Sequence, residues 1–359
     1  MLPSKTTFIR LLGMLGLLLQ IFQVKAQSQI TSETNMFRCG DSIALHKIEY
    51  LQPGGVGEEQ VWDFRNMEIQ GNPHFIRFVC DTDSITILGQ EPQCLRKYIA
   101  HDDTLFMLGY ETRLQTINYE NPFTILPFPS SYGSYNEQPF HSIGTYSKKY
   151  VIESRGTSET EADATGIILY NENDTLRNVL RVHRISSAGI WQYLPGDSIV
   201  DTLNVKQRIE DHYLWFARGY RYPVFETIST TIFNDLSPVS CQQVSYCSLP
   251  SDQMHLKDSI NSQIQDTDSV LYANNLQVPI HYQVAVNGKM VAISYTLETD
   301  ATIQSLICDR MGLVYKRNST AGLAGQSGQI QINCNGLKAG VYVLYLNVNG
   351  QVFNEKIEL

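Results

Sequence analysis

The chain has 359 residues, with 27 lysines and arginines against 36 aspartates and glutamates, and a formal charge of −9. That length exceeds one average domain and suffices for a substantial buried core. An acidic balance argues against nucleic acid and anionic lipid as partners, because phosphate binding relies on Lys and Arg releasing counterions.

The first 26 residues read as an export signal. Lys5 and Arg10 form a positive start, Leu11–Phe22 is a twelve-residue apolar stretch, and Val24-Lys25-Ala26 supplies small residues for cleavage between Ala26 and Gln27. The stretch is shorter than the roughly 20 apolar residues that span a bilayer. The residue after the cut is Gln27 rather than Cys, so no lipid anchor is expected, and no second long apolar run follows. A protein exported through the inner membrane and secreted or held at the cell surface, with no transmembrane segment, is the expectation. Loss of 1–26 removes three bases and no acid, which leaves 24 bases against 36 acids, a charge of −12.

Residues 27–236 read as a large β-domain. Phe75–Val79, Ser84–Leu88, Thr104–Leu108, Gly166–Tyr170 and Val179–Ile185 are β-branched or aromatic runs separated by Gly, Pro, Asn and Asp. Asp-Ser or Asp-Thr pairs precede several of them, as at Asp103-Thr104 and Asp174-Thr175, and suit turns because their side chains bond the local backbone. Antiparallel sheets are the expected result, with no helix of any length. Trp62 and Phe64 share one strand face as core anchors, with Asp63 between them. Pro53-Gly54-Gly55-Val56-Gly57 is glycine-rich but lacks the Lys and helix of a phosphate cradle. Val205–Phe216 has apolar residues at helical spacing, yet its β-aromatic end favours two strands. Between Asn121 and Phe140, prolines alternate with rings, and Phe123, Phe128, Tyr132 and Tyr135 are the candidate ligand-facing aromatics. Burial beneath a proline-steered crossing is the commoner role of such rings.

Residues 237–277 shift to Ser, Gln, Asp and Asn and read as a linker. Residues 278–359 return to short strands, and six or seven of them in about eighty residues suit a small immunoglobulin-like sandwich. Asn287-Gly288 and Asn349-Gly350 each lie between apolar runs, the signature of a hairpin with a type I′ turn. Tyr342, Leu344, Leu346 and Val348 fall on one face of the last apolar strand, Val341, Val343 and Tyr345 on the other. A strand apolar on both faces belongs in the middle of a sandwich.

This module carries Ile293-Ser294-Tyr295, then the turn Asp309 to Gly312, then Leu337-Lys338-Ala339-Gly340-Val341-Tyr342, then a last strand with Lys356. In that order they resemble the type A C-terminal sorting domain of the type IX secretion system. The resemblance implies recognition by an outer-membrane translocon, with Asp309, Gly312, Leu337, Gly340, Tyr342 and Lys356 as the motif residues, and frequent removal afterwards. Within the larger domain, Val61-Trp62-Asp63-Phe64, Ala162-Asp163-Ala164-Thr165-Gly166 and Thr175–Val182 resemble recurring blocks of uncharacterised extracellular β-domains found with that sorting domain. That likeness implies a shared fold and no particular activity.

Seven cysteines follow the cut, and an oxidising destination allows pairing. Cys241 and Cys247 enclose a short loop and are the first candidate pair, followed by Cys308 with Cys334 and Cys80 with Cys94, leaving Cys39 over. No linear signature of catalysis or cofactor binding is present. The eight histidines are scattered without a metal spacing, and neither a Gly-x-Ser-x-Gly elbow nor a P-loop occurs. Asp81-Thr82-Asp83 and Asp266-Thr267-Asp268 lack the Gly and Glu of a calcium loop and read as solvated turns. The sequence therefore predicts an exported protein whose β-domain binds a glycan or protein, or is structural. The alternative is an exported glycan-active hydrolase, whose two acids need no linear motif.

Overall fold

Short β-branched and aromatic runs broken by turn residues make the protein all-β. The computed structural model describes residues 28–82, 85–171, 174–197, 205–273, 279–309, 313–349 and 351–359. The expected export segment and its Ala26–Gln27 cleavage point lie outside them. The first strands are β1 (Gln29–Ile30), β2 (Ser42–Ile48), β3 (Gly57–Asp63), β4 (His74–Cys80) and β5 (Thr86–Glu91). Then come β6 (Cys94–His101), β7 (Thr104–Thr112), β8 (Gln115–Pro127), β9 (Ser130–Ser131) and β10 (Tyr135–Tyr146). The long β11 (Tyr150–Leu169) and β12 (Thr175–Tyr193) lead to β13 (Lys206–Ala217), β14 (Phe225–Asn234) and β15 (Ser237–Cys247). Helix α1 (Ser32–Asn35) precedes β2, while α2 (Pro250–Gln253) and α3 (Ser259–Ala273) follow β15. The terminal module holds β16 (Ile280–Asn287), β17 (Met290–Leu297), β18 (Ala301–Cys308), β19 (Val314–Gly322), β20 (Ser327–Asn333), β21 (Val341–Val348) and β22 (Gln351–Glu358).

The large sheet runs β10-β8-β7-β6-β5-β4-β2-β15-β14-β13-β12-β11, and β11 pairs in turn with β10. Twelve antiparallel strands thus close into a barrel. Closure removes the unpaired edges that would otherwise recruit another chain. Side chains alternate across its wall. On β13, Arg208, Glu210, His212, Leu214 and Phe216 face the lumen. The opposite face of β13–β15 carries Gln207, Asp211, Thr231 and Gln243, where a lipid-facing barrel would need an apolar band.

One bulge redirects the chain. The β11–β12 register slips between Ala162 and Ala164, leaving Asp163 opposite no partner. Before the bulge, Ala162 packs inside with Leu180 and Val182; after it, Ala164 and Ile168 pack outside with Trp62, Phe64 and Trp215. There β11 pairs in parallel with β3, forming a flap over the outer face of β12 and β13. Gly166 permits this approach, because a Cβ would collide with the Gln60 carbonyl. Beneath the flap, Arg181 Nε and Nη2 each donate to the Asp163 carboxylate at 2.8 Å, and Nη1 donates to the Pro53 carbonyl. Trp62 Nε1 donates to the same carbonyl at 3.1 Å. The guanidinium lies 5.1 Å from the Tyr213 ring centre and 5.7 Å from that of Trp62. Trp62 and Phe64 are thus core anchors, as their spacing predicts.

The segment before β2 closes one barrel end. Asn35 donates to the carbonyls of Tyr220 and Arg221, and Arg221 donates to those of Met36 and Glu33. Phe37 inserts among Phe78, Tyr98 and Tyr222 at ring distances of 4.8–5.5 Å. Asp258 caps α3 by accepting from Asn261 N–H and also receives Arg221. Burial pushes its carboxyl up, but these hydrogen bonds prevail and hold it down at about 2.

The terminal module is a two-sheet sandwich, β16-β17-β20 over β19-β18-β21-β22. Its main core falls wholly between Ile280 and Ile357. One face of β21 enters that core, as expected. β21 is also an interior strand, between β18 and β22, but its other face does not meet solvent. Instead Tyr345, with Leu306 and Cys308, is buried against Val61 and Leu169 of the flap. Tyr345 Oη donates to Asp63 at 2.9 Å, and Asp63 also takes Arg65.

Four expectations are corrected. Of the expected linker at 237–277, the described residues 237–273 instead hold β15, α2 and α3. Its polar residues are a solvent-facing strand face and docking groups, such as Asn261 donating to Thr34 O and Gln265 donating to Gly219 O. The longest helix among the described residues therefore lies there, and Asp266–Asp268 belong to it rather than to a turn. Val205–Phe216 holds one strand, since every residue from Lys206 to Trp215 pairs with β14. At Asn287-Gly288 the two turn residues are Gly288 and Lys289, with positive φ at Gly288 alone, the pattern of type II′ rather than I′. Asn349 does have the positive φ (49°) expected of it.

Cys39 pairs with Cys80, while Cys241 is exposed and free and Cys247 is buried and free. Cys241 and Cys247 sit six residues apart on one extended strand, a separation of about 20 Å that no disulfide spans. Cys308 and Cys334, also free, belong to different cores, and Cys94 starts β6 at the barrel end opposite Cys80. Cys39 reaches Cys80 because its neighbours ladder onto β4: Gly40 N–H donates to Phe78 O, and Phe78 N–H to Asp41 O. The bridge closes a sequence separation of 41, so Cys39→Ser should lower the unfolding free energy by about 2–4 kcal/mol. In urea denaturation, reductant should bring the wild type to the variant's midpoint and leave the variant unmoved. A reductant effect persisting in the variant would implicate other cysteines.

Candidate functional site

Alternation along the wall strands sends one set of side chains inward, and they do not fill the barrel. A cavity of about 490 Å³ remains, within the range of small-molecule sites. Its floor, toward the closed end, is apolar: Phe37, Ile43, Leu45, Phe78, Leu126, Leu214 and Phe216. Its other end is polar, with Glu91, Arg96, Tyr110, Thr112, Arg208 and Glu210. Glu91, Cys94 and Thr112 also line a surface depression between the β5–β6 and β7–β8 turns, which marks the mouth.

Charged groups cross the middle of the cavity as a relay of hydrogen bonds. Arg184 Nη1 donates to Ile125 O at 3.2 Å, and Nη2 meets His212 Nδ1 at 2.8 Å. A guanidinium only donates, so Nδ1 accepts and the ring proton sits on Nε2. That proton points at Glu226 Oε2, 2.9 Å away. Burial pushes the Glu226 carboxyl up, but the His212 hydrogen bond and the nearby Arg96 and Arg184 outweigh it, leaving the group below the usual Glu value. Glu210 lies below that value too: burial is outweighed by Arg208, His212 and Arg184, and Thr230 Oγ1 donates to it. Arg96 pairs with Glu91 at the mouth. Arg208 Nε is buried without a hydrogen-bond partner.

The four candidate aromatics do not form one surface. Phe123 lines the lumen, within 5.1 Å of the Phe140 ring and beneath the Arg184 guanidinium. Phe128 is buried in the apolar core. Tyr132 and Tyr135 are exposed on the outside, and the Tyr135 hydroxyl lies 3.2 Å from Glu137 and Glu159. Arg184, Arg208, Glu210, His212 and Glu226 escaped sequence reasoning. Their signal was present in β13, where Arg208, Glu210 and His212 share the face of Leu214 and Phe216, a polarity gradient along one side of a strand.

In the terminal module, Tyr342 is buried and its hydroxyl donates to Lys338 O, with Leu337 against the same core. Gly340 exchanges backbone hydrogen bonds with Leu359. Asp309 accepts from Leu313 N–H and Tyr315 Oη, closing its turn. Lys356 is exposed, and Gly312 lies outside the described residues. These positions shape turns and core rather than converge on one patch. Among the described residues, no cluster of His, Cys, Asp and Glu has metal-binding geometry, and no helix is long and apolar enough to cross a membrane. Comparison with family models and with curated proteins finds no match.

Glu226 titrates below the usual 4.5, so its ion-assisted bond adds stability above that pH and loses it as pH falls through the lowered value. Glu226→Gln should cost about 1–2 kcal/mol near neutrality. Urea denaturation from pH 7 to pH 3 should show the wild-type advantage constant down to about pH 4.5 and shrinking below it. An advantage that grows toward acid would refute the assignment.

Proposed function

We propose that this is an exported or cell-surface binding protein: the barrel holds a small ligand in its lumen, and the terminal sandwich serves as the address read by an outer-membrane translocon of the type IX kind. The observation that carries the ligand reading is the lumen itself, an unfilled space with an apolar floor, a charged mouth and a buried hydrogen-bonded relay between them. Cores normally close such spaces, since voids cost stability. The address reading is supported by the ordered motif residues of the sandwich and by its self-contained core.

Binding is preferred to glycan hydrolysis on electrostatic grounds. A two-carboxylate glycosidase needs one acid with a raised pKa to protonate the leaving oxygen. Glu210 and Glu226 are shifted the opposite way, and Glu226 is committed to His212.

Fractionating cells of a host with a type IX translocon tests the address. The full chain should reach the surface or medium, and a chain lacking Ile280–Leu359 should stay in the periplasm. The truncated barrel uncovers Val61 and Leu169, so its cooperative thermal unfolding is checked alongside. Equal partition of two folded forms would refute the address.

A further inference from the structure

We propose that the lumen takes an amphiphilic carboxylic acid, its carboxylate held by Arg208 at the mouth and its apolar body directed to the floor of Phe78, Leu126 and Phe216. This rests on the reading of the barrel as a ligand carrier. Most charged groups of the lumen are already engaged. Arg96 is paired with Glu91; Arg184 is spent on Ile125 O and His212; Glu226 accepts from His212; Glu210 accepts from Thr230. Arg208 stands near Glu210 and helps hold that carboxyl low, yet its Nε is buried with no hydrogen-bond partner in the protein. Native structures rarely leave such a donor unmet, and a guanidinium is shaped for a carboxylate.

The charge balance narrows the class further. Arg96, Arg184 and Arg208 oppose Glu91, Glu210 and Glu226 along the lumen, and Glu210 shares the strand face of Arg208 two residues away. A dianionic head such as a phosphate monoester would meet that carboxylate with excess charge; a carboxylate brings one charge only. Beyond Arg208, the lumen face of β13 turns apolar at Leu214, about 20 Å along the strand. Between them the same face carries Glu210 and His212, already bonded to Thr230 and Glu226, and the ring-lined floor beyond suits the end of an acyl chain rather than a sugar, whose hydroxyls would be stranded there.

The test uses the full chain and three probes below their micellar concentrations: dodecanoate, 1-dodecanol and dodecyl phosphate, titrated against wild type, Arg208→Gln and Arg208→Lys. Wild type should bind dodecanoate at least about tenfold more tightly than the alcohol and more tightly than the phosphate. Arg208→Gln should bring dodecanoate to the level of the alcohol without changing the alcohol, and Arg208→Lys should keep part of the preference; thermal melting confirms that each variant is folded. Equal binding of acid and alcohol by wild type, or a preference that survives in Arg208→Gln, overturns the role of Arg208 while leaving the lumen a ligand site. Tighter binding of the phosphate overturns the carboxylate assignment. Failure of all three to bind overturns the ligand-carrier reading as well.

Discussion

A charge pair with almost no access to water organises this molecule. Arg181 and Asp163 are buried, and each would be costly there alone. The cost is offset because the pair is bidentate and the remaining guanidinium donor finds the Pro53 carbonyl. Asp163 occupies the bulge where β11, still laddered to β12, parts from β10 and takes up β3, so the pair sits at the point where the sheet changes partners. Trp62, also bonded to Pro53 O, lies over the same guanidinium from β3. One cation thereby joins three separate stretches, around Trp62, Asp163 and Arg181. Each of these stretches is one side of the same buried contact.

Both functional regions are linked to this arrangement. On the inner side of β12, alternation that places Arg181 outward turns Leu180 and Val182 into the core and Arg184 into the lumen, where it meets His212. On the outer side, the flap of β3 and the end of β11 offers Val61, Leu169 and Asp63 to the terminal sandwich. The sandwich has its own core and is not woven into the barrel. It docks through the apolar face around Tyr345 and through polar contacts to β3: Tyr345 with Asp63, Gln304 with Glu59 and Arg317 with the Glu58 carbonyl.

Much of this was legible in the residues. The all-β class follows from β-branched runs and turn pairs, and the terminal strands with their hairpins are readable because side chains alternate strictly there. The Trp62 and Phe64 anchors were equally plain. Other features were not, for identifiable reasons. Ser237–Ala273 is polar because one part faces solvent along β15 and the other fastens α3 to the barrel end through Asn261 and Gln265. Composition alone reads both as linker. The Cys39–Cys80 bridge depends on a ladder between segments 41 residues apart, which no local pattern reveals. The lumen was hidden because its charged residues alternate with outward ones on several strands. Only the register of the β12–β13–β14 meander, which sets Arg184 opposite His212 and Glu226 diagonal to it, brings the three together.

Hydrogen exchange, read by mass spectrometry, on Asp163→Asn beside the wild type reads the role of the pair most directly. Removing one partner of a buried pair costs about 3–5 kcal/mol, large beside the 5–15 kcal/mol that typically holds a domain together. If the pair holds the flap, protection should fall in Gly57–Asp63 and in residues 164–169, with β5–β8 and the β16-β17-β20 sheet protected as before. Unchanged protection across the flap, or loss spread evenly over barrel and sandwich, would contradict the account.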